Sequence, residues 1–323
     1  MAPSADLFNG DADGLCALHQ LRMAEPRTAE LITGTKRDIE LFRYLKPDVA
    51  WDVTVLDVSL DRNRDGVLRL LQAGGRVHYF DHHAASRPLR HPRFEACIDQ
   101  AADVCTSILV DRYLAGRYRP WACVAAFGDN LAAVGHELAE ALGYTPGEAE
   151  ILRELGELLN YNAYGETVDD LHLHPADLYR QLHPYVDPLV FARVSDAVEC
   201  LRDGFAEDRA CLKGLAPEWQ IPALAIYRLP ARAWARRLSG HLANELSRRH
   251  DSQSLAVLTP RSGGGYQVSV RMAPCCSARA DVFCREFAGG GGRHRAGGID
   301  ALAEAEVPAF ISLFSNYLKK QPS

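Results

Sequence analysis

Acidic residues and histidines follow three apolar segments in the first 90 residues, at the points where those segments end. The segments 6–8, 53–56 and 76–80 are followed, in order, by Asp11 and Asp13, by Asp57, and by Asp81-His82-His83. Carboxylates and imidazoles pack poorly in a core but bind divalent cations well. The spacing therefore indicates metal-dependent chemistry.

The elements that would position these residues alternate between strand-like and helix-like patterns over the first 145 residues. We predict strands at 29–33, 51–57 and 76–81, and helices at 14–24, 37–45, 62–73 and 103–114. Such alternation predicts βαβ units and an open α/β sheet that is mostly parallel. Ligands bind at the carboxyl ends of the strands in sheets of this kind, so we expect the acidic residues to meet there. Segment 122–127, which leads to Asp129, fits either a helix or a strand.

A different pattern begins near residue 215. We predict strands at 222–227, 254–258 and 266–271, a hairpin loop at Gly263–Gly265, and a helix at 231–250. The intervening segment 146–214 has a helical pattern interrupted by prolines. We therefore predict an α/β domain at 1–145, a helical connector at 146–214 and a smaller α/β domain at 215–323.

The charge and hydropathy of the chain exclude some function classes. A net charge of −6 argues against a protein that coats long duplex DNA, which would need a basic surface. No apolar stretch approaches the length of a membrane helix, and the amino terminus lacks the pattern of a signal peptide. We therefore expect a cytoplasmic protein without membrane contacts.

Several carboxylates in one crevice would repel each other unless cations neutralise them. A pair of divalent ions would do so, and mixed carboxylate and imidazole ligands favour Mn²⁺. Each residue alone has a simpler interpretation, because an aspartate beside a strand end commonly caps a helix. Asp13 and Asp57 could be such caps, and His82 could be an ordinary hydrogen-bonded histidine. Their combination at the strand ends favours a metal site.

The order and spacing of these motifs resemble a known superfamily. Asn9-Gly10-Asp11-Ala12-Asp13-Gly14, then Asp57, Asp81-His82-His83 and Asp129, resemble the motifs of the DHH phosphoesterases. The segments 268–271, 281–282 and 289–298 resemble the associated DHHA1 domain. The resemblance covers residues 8 to 299, and it implies a catalytic DHH domain followed by a substrate-binding DHHA1 domain.

The resemblance also implies roles for individual residues. Two divalent ions, most consistent with Mn²⁺, would be held by Asp11, Asp13, Asp57, His82 and Asp129. In that arrangement Asp57 would bridge the ions and His83 would face the scissile phosphate. Asp81 would orient the imidazoles, and His83 and Asp81 would be the catalytic residues.

Two positions of the first motif depart from the superfamily pattern. Leu7 stands where the nanoRNase branch has a histidine, and Asn9 stands where the RecJ branch has an aspartate. Asn9 is either a neutral and weaker metal ligand or a residue that supports the loop.

The glycine-rich loop at 289–298 predicts a phosphate site in the second domain, because successive glycines let backbone N–H groups approach an anion. The candidate substrate-binding residues are Arg271, Gly290, Gly291, Gly292, Arg293 and His294. Arg293 occupies the position of the superfamily histidine and His294 follows it, so either could contact the substrate.

We therefore expect a metal-dependent phosphodiesterase that hydrolyses short nucleotides, such as the linear dinucleotide pGpG or nanoRNA, through a hydroxide that two metal ions activate. The alternatives are a pAp phosphatase, a single-strand exonuclease, a pyrophosphatase or polyphosphatase, and a nucleotide-binding regulator without catalysis. The expected partner is a dinucleotide or short oligonucleotide, and a homodimer is a candidate assembly.

Overall fold

A computed structural model describes residues 2–320 and divides the chain into two compact units. The first unit ends at Phe205 and the second begins at Ala206. Both units are mixed α/β structures, as the sequence predicted. Among the described residues, no helix combines the length and the apolar character needed to cross a bilayer.

The first unit is built on a sheet of five parallel strands. The strands are β1 (Ser4–Phe8), β2 (Glu30–Ile32), β3 (Asp52–Leu56), β4 (Arg76–Asp81) and β5 (Phe94–Ile98). Their order in the sheet is β2-β1-β3-β4-β5, and each neighbouring pair is parallel. Because β1, β3 and β4 are adjacent, the residues that follow them lie at one edge of the sheet.

Helices cover both faces of this sheet. They are α1 (Ala12–Ala24), α2 (Leu60–Gln72), α3 (Thr106–Tyr113), α4 (Arg119–Gly128), α5 (Ala132–Ala141), α6 (Pro146–Asn162), α7 (Pro175–Leu182), α8 (Pro188–Val194) and α9 (Asp196–Ala210). Alternate strand residues enter different cores: Phe8 packs with α1, α3, α4 and α6, and Leu7 packs with α2. Burial on both faces explains the nearly continuous apolar strands.

The strands and helices of the first unit largely follow the sequence pattern. Strand β4 has the predicted bounds, and segment 122–127 is helical, as part of α4. The predicted helix at 37–45 is wrong, since only Leu41–Tyr44 forms a single 3₁₀ turn. The Asn63 side chain donates to the Ile39 carbonyl and accepts from the Phe42 N–H, and these bonds hold the segment against α2 in a non-helical path.

The segment predicted as a connector packs largely inside the first unit. Helices α6 to α9 bury Leu152, Leu155, Leu178, Phe191 and Leu201 in the same core as α1 and α4. The boundary between the units therefore falls at 205/206, within α9.

The second unit contains a mixed six-stranded sheet. Its strands are β6 (Trp219–Ile221), β7 (Leu224–Arg228), β8 (Ser254–Pro260), β9 (Tyr266–Arg271), β10 (Gly290–Gly292) and β11 (Ala296–Leu302). Their order is β10-β11-β9-β8-β7-β6, and only β7 and β8 are paired in parallel. Helix α10 (Ala233–Arg249) covers one face, and α11 (Ala280–Cys284) and α12 (Val307–Lys319) cover the other. The hairpin predicted at Gly263–Gly265 joins β8 to β9.

A buried ion cluster fixes β1 against α1. Asp6 is 1% exposed and accepts hydrogen bonds from Arg22 Nε at 2.8 Å, Arg22 Nη2 at 2.7 Å and Arg27 Nη2 at 2.7 Å. Its carboxylate is the counter-charge for two guanidinium groups that have little access to water.

We predict that Asp6→Ala lowers the free energy of unfolding by about 3–5 kcal/mol, because it leaves buried guanidinium charge without a partner. Asp52→Ala is the matched control. Asp52 lies 3.5 Å from the same Arg27 but is 45% exposed, so its loss should cost less than about 1 kcal/mol. Urea denaturation of both variants measures the difference, and equal losses would contradict the assigned role of Asp6.

Candidate metal centre

The candidate site lies at the carboxyl ends of β1, β3 and β4 in the first unit. Asp57 directly follows β3, and Asp81 is the last residue of β4. Asp129 joins them from α4, where it is the C-cap residue. The parallel sheet thus gathers residues that are more than 100 positions apart in sequence.

Two sets of side chains are close enough together to hold a metal ion. One set is Asp57, His82 and His83, and the other is Asp13, His82 and Asp129. Within each set, one potential ligand atom from every residue lies within 4.8 Å of the others. Because His82 belongs to both sets, these residues form one continuous cluster.

His82 is oriented so that one ring nitrogen faces the carboxylates. Its Nδ1 lies 3.0 Å from the Val104 carbonyl, which can only accept, so Nδ1 carries the proton. Its Nε2 lies 3.4 Å from Asp57 Oδ1 and 3.9 Å from Asp129 Oδ2. A carbonyl that fixes the tautomer and leaves the other nitrogen toward acidic oxygens is the usual arrangement of a metal-binding histidine.

Asp57 is the most constrained residue of the cluster. It is 2% exposed, and its backbone has a φ of 59°, a left-handed conformation that few residues other than glycine adopt. Its Oδ1 accepts a hydrogen bond of 3.2 Å from the Thr106 hydroxyl. Burial and the negative charges of nearby aspartates, first among them Asp11, raise the pKa of Asp57 well above 3.8. Ser59, not Asp57, is the N-cap of α2, so capping does not explain this residue.

Asp13 is held by the first turn of α3. Its Oδ1 and Oδ2 accept hydrogen bonds of 2.7 Å from the backbone N–H groups of Ser107 and Thr106, respectively. A helix N-terminus is a good place for an anion, because its first N–H groups have no partner within the helix. This contact keeps Asp13 in place beside His82.

Asp129 completes the cluster. Its side chain is 21% exposed, and burial together with the charges of Asp13 and Asp11 raises its pKa to about 6, against an opposing effect of Lys36. A carboxylate whose ionisation is this unfavourable is stabilised by a nearby cation.

Asp11, a predicted metal ligand, has other partners. It is the N-cap of α1, where its Oδ1 accepts from the N–H groups of Asp13 and Gly14 at 3.1 Å each. Its Oδ2 accepts from the Nζ atom of Lys36 at 2.5 Å. Burial alone would raise the pKa of Asp11, but the charge of Lys36 and these hydrogen bonds hold it below 3.8. The cap of α1 is thus Asp11, whereas Asp13 binds the first N–H groups of α3.

Asn9 and Leu7 have supporting positions. Leu7 is fully buried in the core of the sheet. Asn9 Nδ2 donates to the Lys36 carbonyl at 3.4 Å, while its Oδ1 is buried without a hydrogen-bond partner in the described part of the chain. A side chain on Gly14 would meet the Asn9 carbonyl at 2.1 Å, so glycine is required where the loop closes onto α1.

Asp81 and His83 form a hydrogen-bonded pair. His83 Nδ1 lies 2.6 Å from Asp81 Oδ1, which also accepts from the His83 backbone N–H at 3.2 Å. Burial would lower the pKa of His83, but the hydrogen bond and charge of Asp81 raise it above 6.5. Asp81 is fully buried, whereas the His83 side chain is 41% exposed. Asp81 therefore orients His83 and leaves its Nε2 available to a ligand.

The residues of the cluster fit a divalent cation. They combine carboxylate oxygens with an imidazole whose tautomer is already set, and burial and mutual repulsion disfavour the ionised carboxylates until a cation is present. This mixed set of donors suits Mn²⁺, Fe²⁺ or Mg²⁺ better than it suits a structural Zn²⁺ ion.

Comparisons with known proteins agree on the fold. No protein-family model and no curated protein matches the chain. Among solved structures, an exonuclease RecJ bound to manganese aligns with a TM-score of 0.61 and 18% identity over 99% of this chain and 91% of that one. RecJ from Thermus thermophilus in complex with Mn²⁺ aligns with a TM-score of 0.61 and 17% identity, over 99% of this chain and 52% of that one. The pGpG-specific phosphodiesterase PggH from Vibrio cholerae gives 0.55 and 12%, over all of both chains.

This chain has the fold of the solved RecJ and PggH structures. The resemblance in its sequence motifs and the alignment over nearly its full length lead to the same superfamily fold. Within the DHH fold, the cluster of Asp13, Asp57, His82 and Asp129 lies at the strand ends where the motifs predicted it.

The candidate phosphate site belongs to the second unit. Arg271 ends β9 and lies beside Ala296 of β11, and Arg293 and His294 are exposed in the turn between β10 and β11. Gly290–Gly292 form strand β10 rather than the predicted loop. A side chain on Gly290 would meet the Cys284 carbonyl at 1.8 Å, so packing against α11 explains that glycine, while a side chain on Gly291 would meet nothing within 4 Å.

Sequence reasoning missed three residues that surround the DHH motifs. Lys36 and Asn160 meet beside Asp11, where Lys36 Nζ donates to Asn160 Oδ1 at 3.0 Å, and Thr106 binds Asp57. Thr106 starts a helix that was predicted, so its hydroxyl was a detectable candidate. Lys36 and Asn160 gave no local signal, because their role depends on chain segments that meet only in the fold.

We predict that Asp57→Asn stabilises the metal-free protein at pH 8 by about 1–3 kcal/mol. The folded-state pKa of Asp57 lies above 3.8, so its ionisation weakens the fold increasingly as pH rises above that value. The gain should therefore disappear below pH 4. Added Mn²⁺ should stabilise the wild type and not the variant.

Thermal unfolding with EDTA or Mn²⁺ measures both effects, and Asp65→Asn, on the exposed side of α2, is the control. A variant that is less stable than the wild type without metal would contradict the proposed charge repulsion.

Proposed function

We propose that this protein is a metal-dependent phosphoesterase that hydrolyses phosphodiester bonds in short nucleotides. The observation that carries the proposal is the orientation of His82, whose Nε2 faces Asp57 and Asp129 because the Val104 carbonyl holds its Nδ1 proton. An imidazole nitrogen directed at two carboxylates is the arrangement of a residue that would share a cation with them.

The residues of the site divide into ligands and groups that act on the substrate. The two overlapping sets share His82, and we propose that its Nε2 and the carboxylates of Asp13, Asp57 and Asp129 would hold a divalent ion, for which we favour Mn²⁺. When bound, such an ion neutralises phosphate charge and makes a water molecule more acidic. His83, held by Asp81, would present its Nε2 to a phosphate oxygen, to which it could donate a hydrogen bond.

The solved structures of similar fold support nucleotides as the substrate class. One neighbour is an exonuclease, and another is a pGpG-specific phosphodiesterase that aligns over the full length of both chains. The Thermus RecJ chain is about twice the length that this chain covers. We favour a small substrate, such as a linear dinucleotide or nanoRNA, because the pGpG-specific neighbour aligns over the full length of both chains. The net charge of −6 agrees with this choice.

We further propose that the second unit binds a phosphate of the substrate. The open space beside Gly291, together with the exposed Arg293 and His294 in the same turn, would allow backbone and side-chain donors to reach an anion. Arg271 on the adjacent strand is held by a hydrogen bond of 2.8 Å to Asn244 Oδ1. Arg293 and His294 are both candidates, since both are exposed.

We predict that the purified protein with Mn²⁺ hydrolyses pGpG faster than pAp, pyrophosphate, polyphosphate or a single-stranded DNA oligomer. Asp57→Asn should lower kcat by about a thousandfold or more, because it removes a charged ligand at the centre of the cluster. Product formation followed by chromatography measures each rate, with Asp65→Asn as the control.

The panel also separates the alternatives. Preference for pAp would indicate a phosphatase, preference for pyrophosphate or polyphosphate would indicate a phosphoanhydride hydrolase, and processive loss of DNA nucleotides would indicate an exonuclease. Nucleotide binding without turnover of any substrate would contradict the proposed catalytic function and favour a regulator.

We predict that Asp81→Asn lowers kcat by about 10- to 100-fold and leaves Mn²⁺ affinity within a few-fold of the wild type. The amide binds Nδ1 of His83 less strongly, so the ring loses its orientation and its raised pKa. A pH–rate profile in which the limb assigned to His83 moves to lower pH would support this role. An unchanged profile, or complete loss of Mn²⁺ binding, would contradict it.

A further inference from the structure

An ammonium group lies inside the acidic cluster. Lys36 Nζ is 2.5 Å from Asp11 Oδ2, 3.0 Å from Asn160 Oδ1 and 3.7 Å from Asp129 Oδ1. The ring of Tyr164 lies 5.7 Å away, within the range of a cation–π contact. The ammonium therefore has two hydrogen-bond acceptors, a third oxygen at ion-pair distance and an aromatic ring beside it.

Hydrogen bonds of its own backbone also hold Lys36 in position. Its N–H donates to the Ala163 carbonyl at 2.8 Å, and its carbonyl accepts from Asn9 Nδ2 at 3.4 Å. The side chain is 24% exposed. Contacts at the backbone and at Nζ fix the lysine at both ends, so the charge is a built part of the site.

The Lys36 ammonium places a positive charge 2.5 Å from Asp11 Oδ2, where it would repel a divalent ion. One of the Asp11 oxygens caps α1 through the N–H groups of Asp13 and Gly14, and the other binds Lys36. Neither of the two sets of side chains that could hold a metal includes Asp11. The carboxylate that the sequence assigned to one of two metal ions is therefore engaged by a cation of the protein itself.

The charges in the cluster come close to balance with one divalent ion. Asp11, Asp13, Asp57 and Asp129 bring four negative charges, whereas Lys36 and one divalent ion bring three positive charges. A second divalent ion at Asp11 would have to displace the Lys36 ammonium from the oxygens of Asp11 and Asn160. Asn9, two residues before Asp11, would offer that ion only a neutral amide.

We propose that the Lys36 ammonium takes the place of a second divalent ion at Asp11, so that the centre binds a single ion. This ion is held by Asp13, Asp57, His82 and Asp129. The inference rests on the metal centre of the proposed function and replaces the pair of ions implied by the sequence resemblance. Lys36 acts as a positioning residue, which balances the charge of Asp11 and excludes a cation there.

The test is the number of Mn²⁺ ions bound, measured by calorimetric titration and by elemental analysis after dialysis. The wild type should bind one ion per chain and give the electron paramagnetic resonance spectrum of an isolated Mn²⁺. Lys36→Met keeps the length of the side chain but removes its charge. It should bind a second ion and show the exchange coupling of a close pair.

The controls separate this inference from the proposed function. Lys46→Met makes the same change at an exposed position of the same unit and should bind one ion. Asp11→Asn in the wild-type background should also bind one. Two ions in the wild type, or one ion in Lys36→Met, would overturn the role of Lys36. Failure of the wild type to bind Mn²⁺ would instead overturn the metal centre of the proposed function.

Discussion

The structure of the first unit depends on the close approach of buried carboxylates at the ends of its parallel strands. Asp57 is the centre of this constraint, since burial and the charges of neighbouring aspartates all oppose its ionisation. A fold that only needed packing would place apolar residues there. The surrounding elements bring N–H donors, a lysine and an imidazole against these carboxylates.

Each compensating group comes from a different part of the chain. The first turn of α3 donates two N–H groups to Asp13, Lys36 neutralises Asp11, and the imidazole of His82 faces Asp57 and Asp129. Helix α6 supplies Asn160, which binds the Lys36 ammonium. Helix α6 therefore contributes both to the apolar core of the first unit and to the surroundings of the acidic residues.

The sequence predicted what depends on local pattern. Strand β4 and the position of Asp81-His82-His83 at its end followed from a short apolar run bounded by polar residues. The sequence could not show that Asp11, rather than Asp13, would cap α1. Nor could it show that Lys36 would reach Asp11 from a coil segment 25 residues away. Strand β5 was missed because it is a partly exposed edge strand with mixed polarity, and β10 because a run of glycines usually signals a loop.

The central claim is that the strand ends of the first unit form a divalent metal centre. Anomalous diffraction from a crystal soaked in Mn²⁺, recorded near the manganese absorption edge, tests it most directly. The account predicts one strong peak within coordination distance of Asp13, Asp57, His82 and Asp129, with Lys36 still bound to Asp11. Anomalous density that is absent from these residues while Mn²⁺ is found elsewhere on the protein would contradict it.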